Sequence, residues 1–132
     1  MKTVVVFGNP DLPMDSLPLR LVPELEKRLT DFKFRTLDPN EEWDLPKEFF
    51  VLDTVQGIEH VTVFQDLKHF ASAPRLSMHD FDALTNLLYL QKLGKIKNAV
   101  IVGVPPTLDF TNALANVLAT LLLLSASSSQ PN

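Results

Sequence analysis

Three short apolar runs constrain this chain more than any other feature. They are "TVVVF" (Thr3 to Phe7), the start of "FFVLD" (Phe49 to Asp53) and the centre of "NAVIVGVPP" (Asn98 to Pro106). None alternates between apolar and polar. A strand that is apolar at consecutive positions is covered on both faces, which is the condition of strands inside a parallel sheet with helices packed above and below. The runs end on residues that turn the chain: Gly8-Asn9-Pro10 after the first, Asp53 at the end of the second, Pro105-Pro106 after the third.

The intervening segments supply the other elements. Leu17, Leu21, Leu25 and Leu29 stand four apart on one helix face. Pro18 suits a first turn, but Pro23 lies too far along for a regular helix from Ser16. A bent start is therefore expected, with regular helix from about Val22. "FKFRTLD" (Phe32 to Asp38) alternates as a strand, and "PNEEWDLPKE" is a polar loop. "EHVTVFQD" also alternates, with Val61 and Val63 on one face, as an antiparallel edge strand would. After a short loop, Ser77 or Asp80 is the expected N-cap of a helix with Phe81, Leu84, Leu87 and Leu88 as its apolar face and Gly94 as its stop. "ALANVLATLLLL" (Ala113 to Leu124) reads as a core-facing helix and "SASSSQPN" as a disordered tail. The order predicts a three-layer α/β/α domain over residues 1–124, with a mostly parallel, about five-stranded twisted sheet of the phosphorylase/hydrolase-like kind, and a tail over 125–132.

Composition narrows the function. The 132 residues are 45% hydrophobic, enough for one core, and carry a net charge of -4 without any block of Lys or Arg, so a nucleic-acid partner is not expected. With no Cys, a disulfide framework, a thiolate zinc site and a cysteine nucleophile are all excluded, and any metal would be held by His and carboxylates. "MKTVVVFG" is too soon broken for a secretory signal, and Ala113 to Leu124 falls short of the roughly 20 residues of a membrane span. A cytoplasmic protein with no membrane partner is the expectation. There is no Gly-x-Ser-x-Gly for acyl-enzyme chemistry, and "FGNPDLPMDS" has too few glycines to cradle a phosphate.

In an open α/β sheet, ligands collect beyond the carboxyl ends of the strands. Three side chains belong there by position: Asp15 after the first strand, Asp53 at the end of the third, and His79 heading the second long helix. Two carboxylates and an imidazole suit a divalent transition metal with coordination positions left open. The positive end of the helix dipole disfavours imidazolium and so keeps a His79 lone pair available. Each residue also has a structural reading: Asp15 as helix cap or loop acid, Asp53 as strand-end turn acid, His79 as ordinary first-turn residue. His60, in the edge strand, and His69, in a charged loop, read as structural or solvent-facing.

Taken in order, "VVVFGNPDLPMDSLPLRLV", "VLDTVQGI", "LSMHDFDALTNLL" and "IVGVPP" resemble the motifs of the nickel-iron hydrogenase maturation endopeptidases. That family has a strand, Gly-Asn, a short loop and an acidic doublet, then Leu-Asp at a strand end, Ser-x-His heading a helix, and a Gly-x-x-Pro-like strand end. The resemblance runs from Thr3 to about Asp109. It implies that Asp15 and Asp53 are the two nickel-contacting acids and His79 the imidazole ligand, the three forming both the metal-recognising and the catalytic set. It further implies an aspartic-type or metal-dependent endopeptidase that removes the C-terminal extension of the hydrogenase large-subunit precursor after nickel insertion. The nickel is presented by that precursor, and other divalent metals are expected to enter the site in crystals. This chain departs from the pattern in having Met14-Asp15 for the doublet, Asp where Glu is common, Pro18 for a glycine, and one apolar helix after Pro106. Two other readings stand beside it. One is a noncatalytic metal-sensing or docking relative in hydrogenase assembly. The other is a peptidyl-tRNA hydrolase, whose first strand also leads into "GNP" but whose essential His has no counterpart before His60.

Overall fold

Strand β1 (Lys2–Val6) lies inside the sheet, as its unbroken apolar run predicts, with β2 (Phe32–Thr36) on one side and β3 (Glu48–Thr54) on the other, both parallel to it. The computed structural model describes residues 1–37, 43–73 and 78–128. β3 pairs in parallel with β5 (Asn98–Val104) over seven residues, from Glu48 opposite Asn98 to Thr54 opposite Val104. The three-residue β4 (Thr62–Phe64) closes the edge, antiparallel to β5, giving the order β2-β1-β3-β5-β4. The expected mostly parallel, five-stranded sheet between helices is the one observed.

Strand pleating sorts the side chains into two cores. Val4, Val6, Phe50, Leu52, Val102 and Val104 face α1 (Leu17–Arg28) and α4 (Phe110–Ser128). Val5, Phe7, Phe49, Val51, Ala99 and Ile101 face α2 (Leu67–Ala71) and α3 (Met78–Lys92). The chain leaves β1 through α1 for β2 on one side, then returns to β3 on the other. The carboxyl ends of β1 and β3 are therefore the topological switch point, where connections diverge and where sheets of this kind collect ligands.

Several local expectations give way to tertiary packing. Helix α1 is regular from Leu17, not from Val22, with Pro18 in its first turn and Pro23 inside it. Pro23 deprives the Leu19 carbonyl of its helical donor, but it sits on the exposed side, where solvent can serve instead, while Leu21 and Leu25 bury the opposite side. β2 ends at Thr36, and Asp38 lies outside the described residues. The loop before α3 contains a short helix, α2, capped by Asp66, whose carboxylate accepts from the His69 N–H at 2.7 Å. His69 also accepts from the Gln65 N–H through Nδ1 and meets the edge of Phe64, so it is structural as read; His60 is exposed. Helix α4 continues through Ser128, so Ser125–Ser128, assigned above to a disordered tail, are helical. Its buried stripe is Ala113, Val117 and Leu121, and Leu122 and Leu123 remain exposed. No helix among the described residues is long and apolar enough to cross a membrane.

Candidate functional site

The loop after β1 folds back on the strand end. The Asn9 N–H donates to the Asp15 carbonyl at 3.0 Å, the Asp15 N–H to the Leu12 carbonyl at 2.9 Å, and the Asn9 side-chain oxygen accepts from the Asp11 N–H at 2.9 Å. A Cβ on Gly8 would stand 2.7 Å from the Asp15 carbonyl oxygen, closer than a side chain can approach backbone. Gly8 and Asn9 thus set where Asp15 stands. A 3-10 turn, Pro13–Asp15, delivers it to the start of α1. The cap position of that helix is held by Ser16, whose hydroxyl donates to the Pro13 carbonyl and accepts from Arg20 Nε, so Asp15 is not the cap. Met14, where the family pattern has its other acid, is 56% exposed.

Asp53 follows from the pleat. It has the parity of Phe49 and Val51, so its carboxyl enters the side of the sheet covered by α3, and it is 1% exposed. Opposite it in register is Gly103, where a Cβ would lie 2.8 Å from Val55 and 3.1 Å from Phe64. The absence of a side chain there lets β4 and the end of β3 close around Asp53.

The residue that meets Asp53 is Asp80. The sequence offered it as an N-cap, but it lies in the first turn of α3, helical and 5% exposed. The buried face of α3 matches the expected one in part: Leu84 and Leu87 are buried as expected, and Ala83 with them, whereas Phe81 is 53% exposed and Leu88 is exposed as well. Extended one turn toward the amino end, the buried stripe of 83, 84 and 87 reaches position 80. An acid at the head of an apolar stripe was the available signal, and Ala83 concealed it by being the least conspicuous apolar residue.

Asp80 forms a side-chain hydrogen bond with Asp53. The bond raises the Asp53 pKa, so Asp53 is its donor and Asp80 its acceptor. Burial, then the hydrogen bond to Asp80 and the negative charges of Asp80 and Asp15, push Asp53 well above the usual carboxylate range, against a smaller opposing effect of the Thr54 N–H. Asp15, Asp53 and Asp80 thus come within electrostatic reach at one edge of the sheet. Asp53 Oδ1 is buried without a hydrogen-bond partner, and so is Thr54 Oγ1 beside it. A buried carboxylate oxygen left without a partner is costly in a purely structural role. It is suited to accept a cation or proton brought by a ligand.

His79 is in the first turn of α3, one residue before Asp80; its side chain lies outside the described residues, as does Ser77. Among the described residues no group of three or more His, Asp or Glu is arranged to hold a metal ion by itself. A cavity of about 330 Å³ lies at the opposite end of the sheet, lined by Lys2, Thr3, Glu48 and Asn98 from the amino ends of β1, β3 and β5, and is remote from these acids.

No protein-family model matches this sequence. No curated protein matches it either. Two solved structures share its fold. The crystal structure of an uncharacterized protein from Wolinella succinogenes aligns with 97% of this chain and 99% of its own, at 15% identity and a TM-score of 0.60. The crystal structure of a hydrogenase 3 maturation protease aligns with 90% of this chain and 88% of its own, at 14% identity and a TM-score of 0.62.

Proposed function

We propose that this chain is an endopeptidase that removes the C-terminal extension from the precursor of a nickel-iron hydrogenase large subunit once nickel has been inserted. The observation that carries this reading is the unpartnered, buried Oδ1 of Asp53 at the switch-point crevice, with Asp80 hydrogen-bonded to the same carboxyl and Asp15 within electrostatic reach. The fold shared with a hydrogenase 3 maturation protease supports it. The nickel is cargo of the substrate. In this reading Asp15, Asp53 and His79 complete the coordination of a metal that the precursor presents, which explains why the chain's own acids need not form a closed metal site. Cleavage then waits on loading, because the unloaded precursor offers no cation to the acids.

Hydrolysis needs a water whose oxygen bonds to the scissile carbonyl carbon as a carboxylate takes its proton; that proton then passes to the amide nitrogen, and the C–N bond breaks. Asp15, only partly buried, is the acid in this cluster open to such a water. The cytoplasm, where hydrogenase precursors would be met, is the proposed location.

Incubation with nickel-loaded and nickel-free large-subunit precursor, followed by mass measurement, tests the proposal. Mass loss confined to the loaded precursor is the expected result, and it should disappear in His79→Ala and Asp15→Ala while Asp15→Glu retains measurable activity. Tight binding of the loaded precursor without mass loss would instead select the noncatalytic docking relative.

A further inference from the structure

We propose that Asp80 is a positioning residue for this site: from the first turn of α3 it holds the Asp53 carboxyl in place and leaves Oδ1 as the oxygen presented to the incoming partner. This role rests on the reading of the site as a nickel-dependent processing centre, and it adds a residue that the motif pattern does not assign.

An aspartate carboxyl has two chemically equal oxygens and a broad preference about its last torsion. At the end of a buried strand, with no fixed partner, either oxygen could face the crevice. Asp80, together with the Thr54 N–H, removes that freedom by engaging the carboxyl, and Oδ1 is left unpartnered. It can do so because its own backbone is held firmly. Ala83, Leu84 and Leu87, on the same stripe of α3, are buried against Val5, Val51, Val55 and Ile101 in one core. A carboxyl anchored to a packed helix is a rigid support for a first-contact side chain, and such supports govern how well a ligand group is aimed.

Burial sets Asp80 apart from an ordinary acid of a helix's first turn. An acid at the head of an apolar stripe, 5% exposed and set against a second buried acid, is unfavourable for folding, and an apolar residue there would continue the stripe. What the site requires at position 80 is a hydrogen-bond acceptor for the Asp53 carboxyl, and an asparagine side-chain carbonyl supplies one at nearly the same size.

The test compares D80N, D80L and D80A for cleavage of the nickel-loaded precursor by the full chain, with kcat and KM separated and melting temperatures recorded. D80N should keep kcat within about threefold of the unaltered protein, because the amide carbonyl still accepts from Asp53. D80L should melt at or above the temperature of the unaltered protein yet lose roughly 10- to 100-fold in kcat with little change in KM, the range typical for residues that orient a ligating group. D80A, if it folds, should follow D80L in activity. Unchanged kcat in D80L, or equal loss in D80N and D80L, overturns the positioning role alone. No cleavage by the unaltered protein overturns the processing reading, and this role with it.

Discussion

Two long helices of this molecule carry an aspartate at or near their first turn, and they use it in opposite ways. At the start of α4, Asp109 is exposed and spends its carboxylate on its own helix, accepting from the Asn112 N–H at 2.8 Å and the Asn112 side-chain amide at 2.7 Å. Those hydrogen bonds lower its pKa. At the start of α3, Asp80 is turned into the protein, where it meets a second acid and helps raise that acid's pKa. The first arrangement satisfies orphan amide groups at a helix end and is complete without a ligand. The second leaves Asp53 Oδ1 buried and unpartnered, an arrangement that is not complete in itself.

The largest expected effect tests the α3 side of this contrast. Asp53→Asn keeps the shape and removes the ionisable group, so processing should fall by two orders of magnitude or more, as for loss of a group that contacts the reacting centre. Its effect on stability should have the opposite sign. Because the folded-state pKa of Asp53 is raised, the stability linked to it is fully present below the unfolded value of about 3.9 and is lost as pH rises through the folded value. The asparagine variant escapes that loss. Its melting temperature, relative to the unaltered protein, should climb with pH above about 4; a difference that stayed flat would mean that Asp53 is not destabilised in the folded chain.

A smaller effect is expected at Gly8. The Cβ of Gly8→Ala would meet the Asp15 carbonyl oxygen at 2.7 Å, and backbone cannot yield as the end of a flexible side chain can. Overpacking of this kind costs roughly 1–3 kcal/mol. Displacement of Asp15 should also reduce processing, whereas the raised pKa of Asp53, which depends mainly on burial and Asp80, should persist in a carboxyl-detected NMR titration.

The smallest effect belongs to the α4 side. Asp109→Ala should lower the melting temperature slightly at neutral pH and leave processing untouched. With its pKa lowered, the stability linked to Asp109 is present above the unfolded pKa and lost as pH falls through the folded value. The deficit of the variant should therefore shrink in acid, opposite in direction to the trend for Asp53→Asn. Equal trends at the two sites would dissolve the distinction between them.

Much of the architecture was legible beforehand for a physical reason. Val4, Val5 and Val6 are apolar in succession, and a strand of that kind is stable only between two covering layers, so its place inside a parallel sheet followed directly. The alternation around Val61 and Val63 marked β4 as an edge strand in the same way. Asp15 and Asp53 could be located at the carboxyl ends of strands because strand direction fixes which end a residue occupies. The start of helix α1 departs from what the local propensity of Pro23 predicts, because packing of Leu17, Leu21 and Leu25 on the sheet outweighs one missing hydrogen bond on the exposed side.

What the sequence determined by itself is the sheet, its direction and the crevice to which Asp15 and Asp53 belong, since these depend on the local period of apolar residues and on chain direction. What only the tertiary structure decided is that Asp80 turns inward to Asp53 while Phe81 and Leu88 face outward. Apolar periodicity records which positions are buried in bulk, because burial favours every apolar residue alike. A hydrogen bond between two acids, 27 residues apart, has no periodicity: it depends on the rotation of α3 over the sheet, and that rotation is set by Ala83, Leu84 and Leu87 packing against strands from distant parts of the chain.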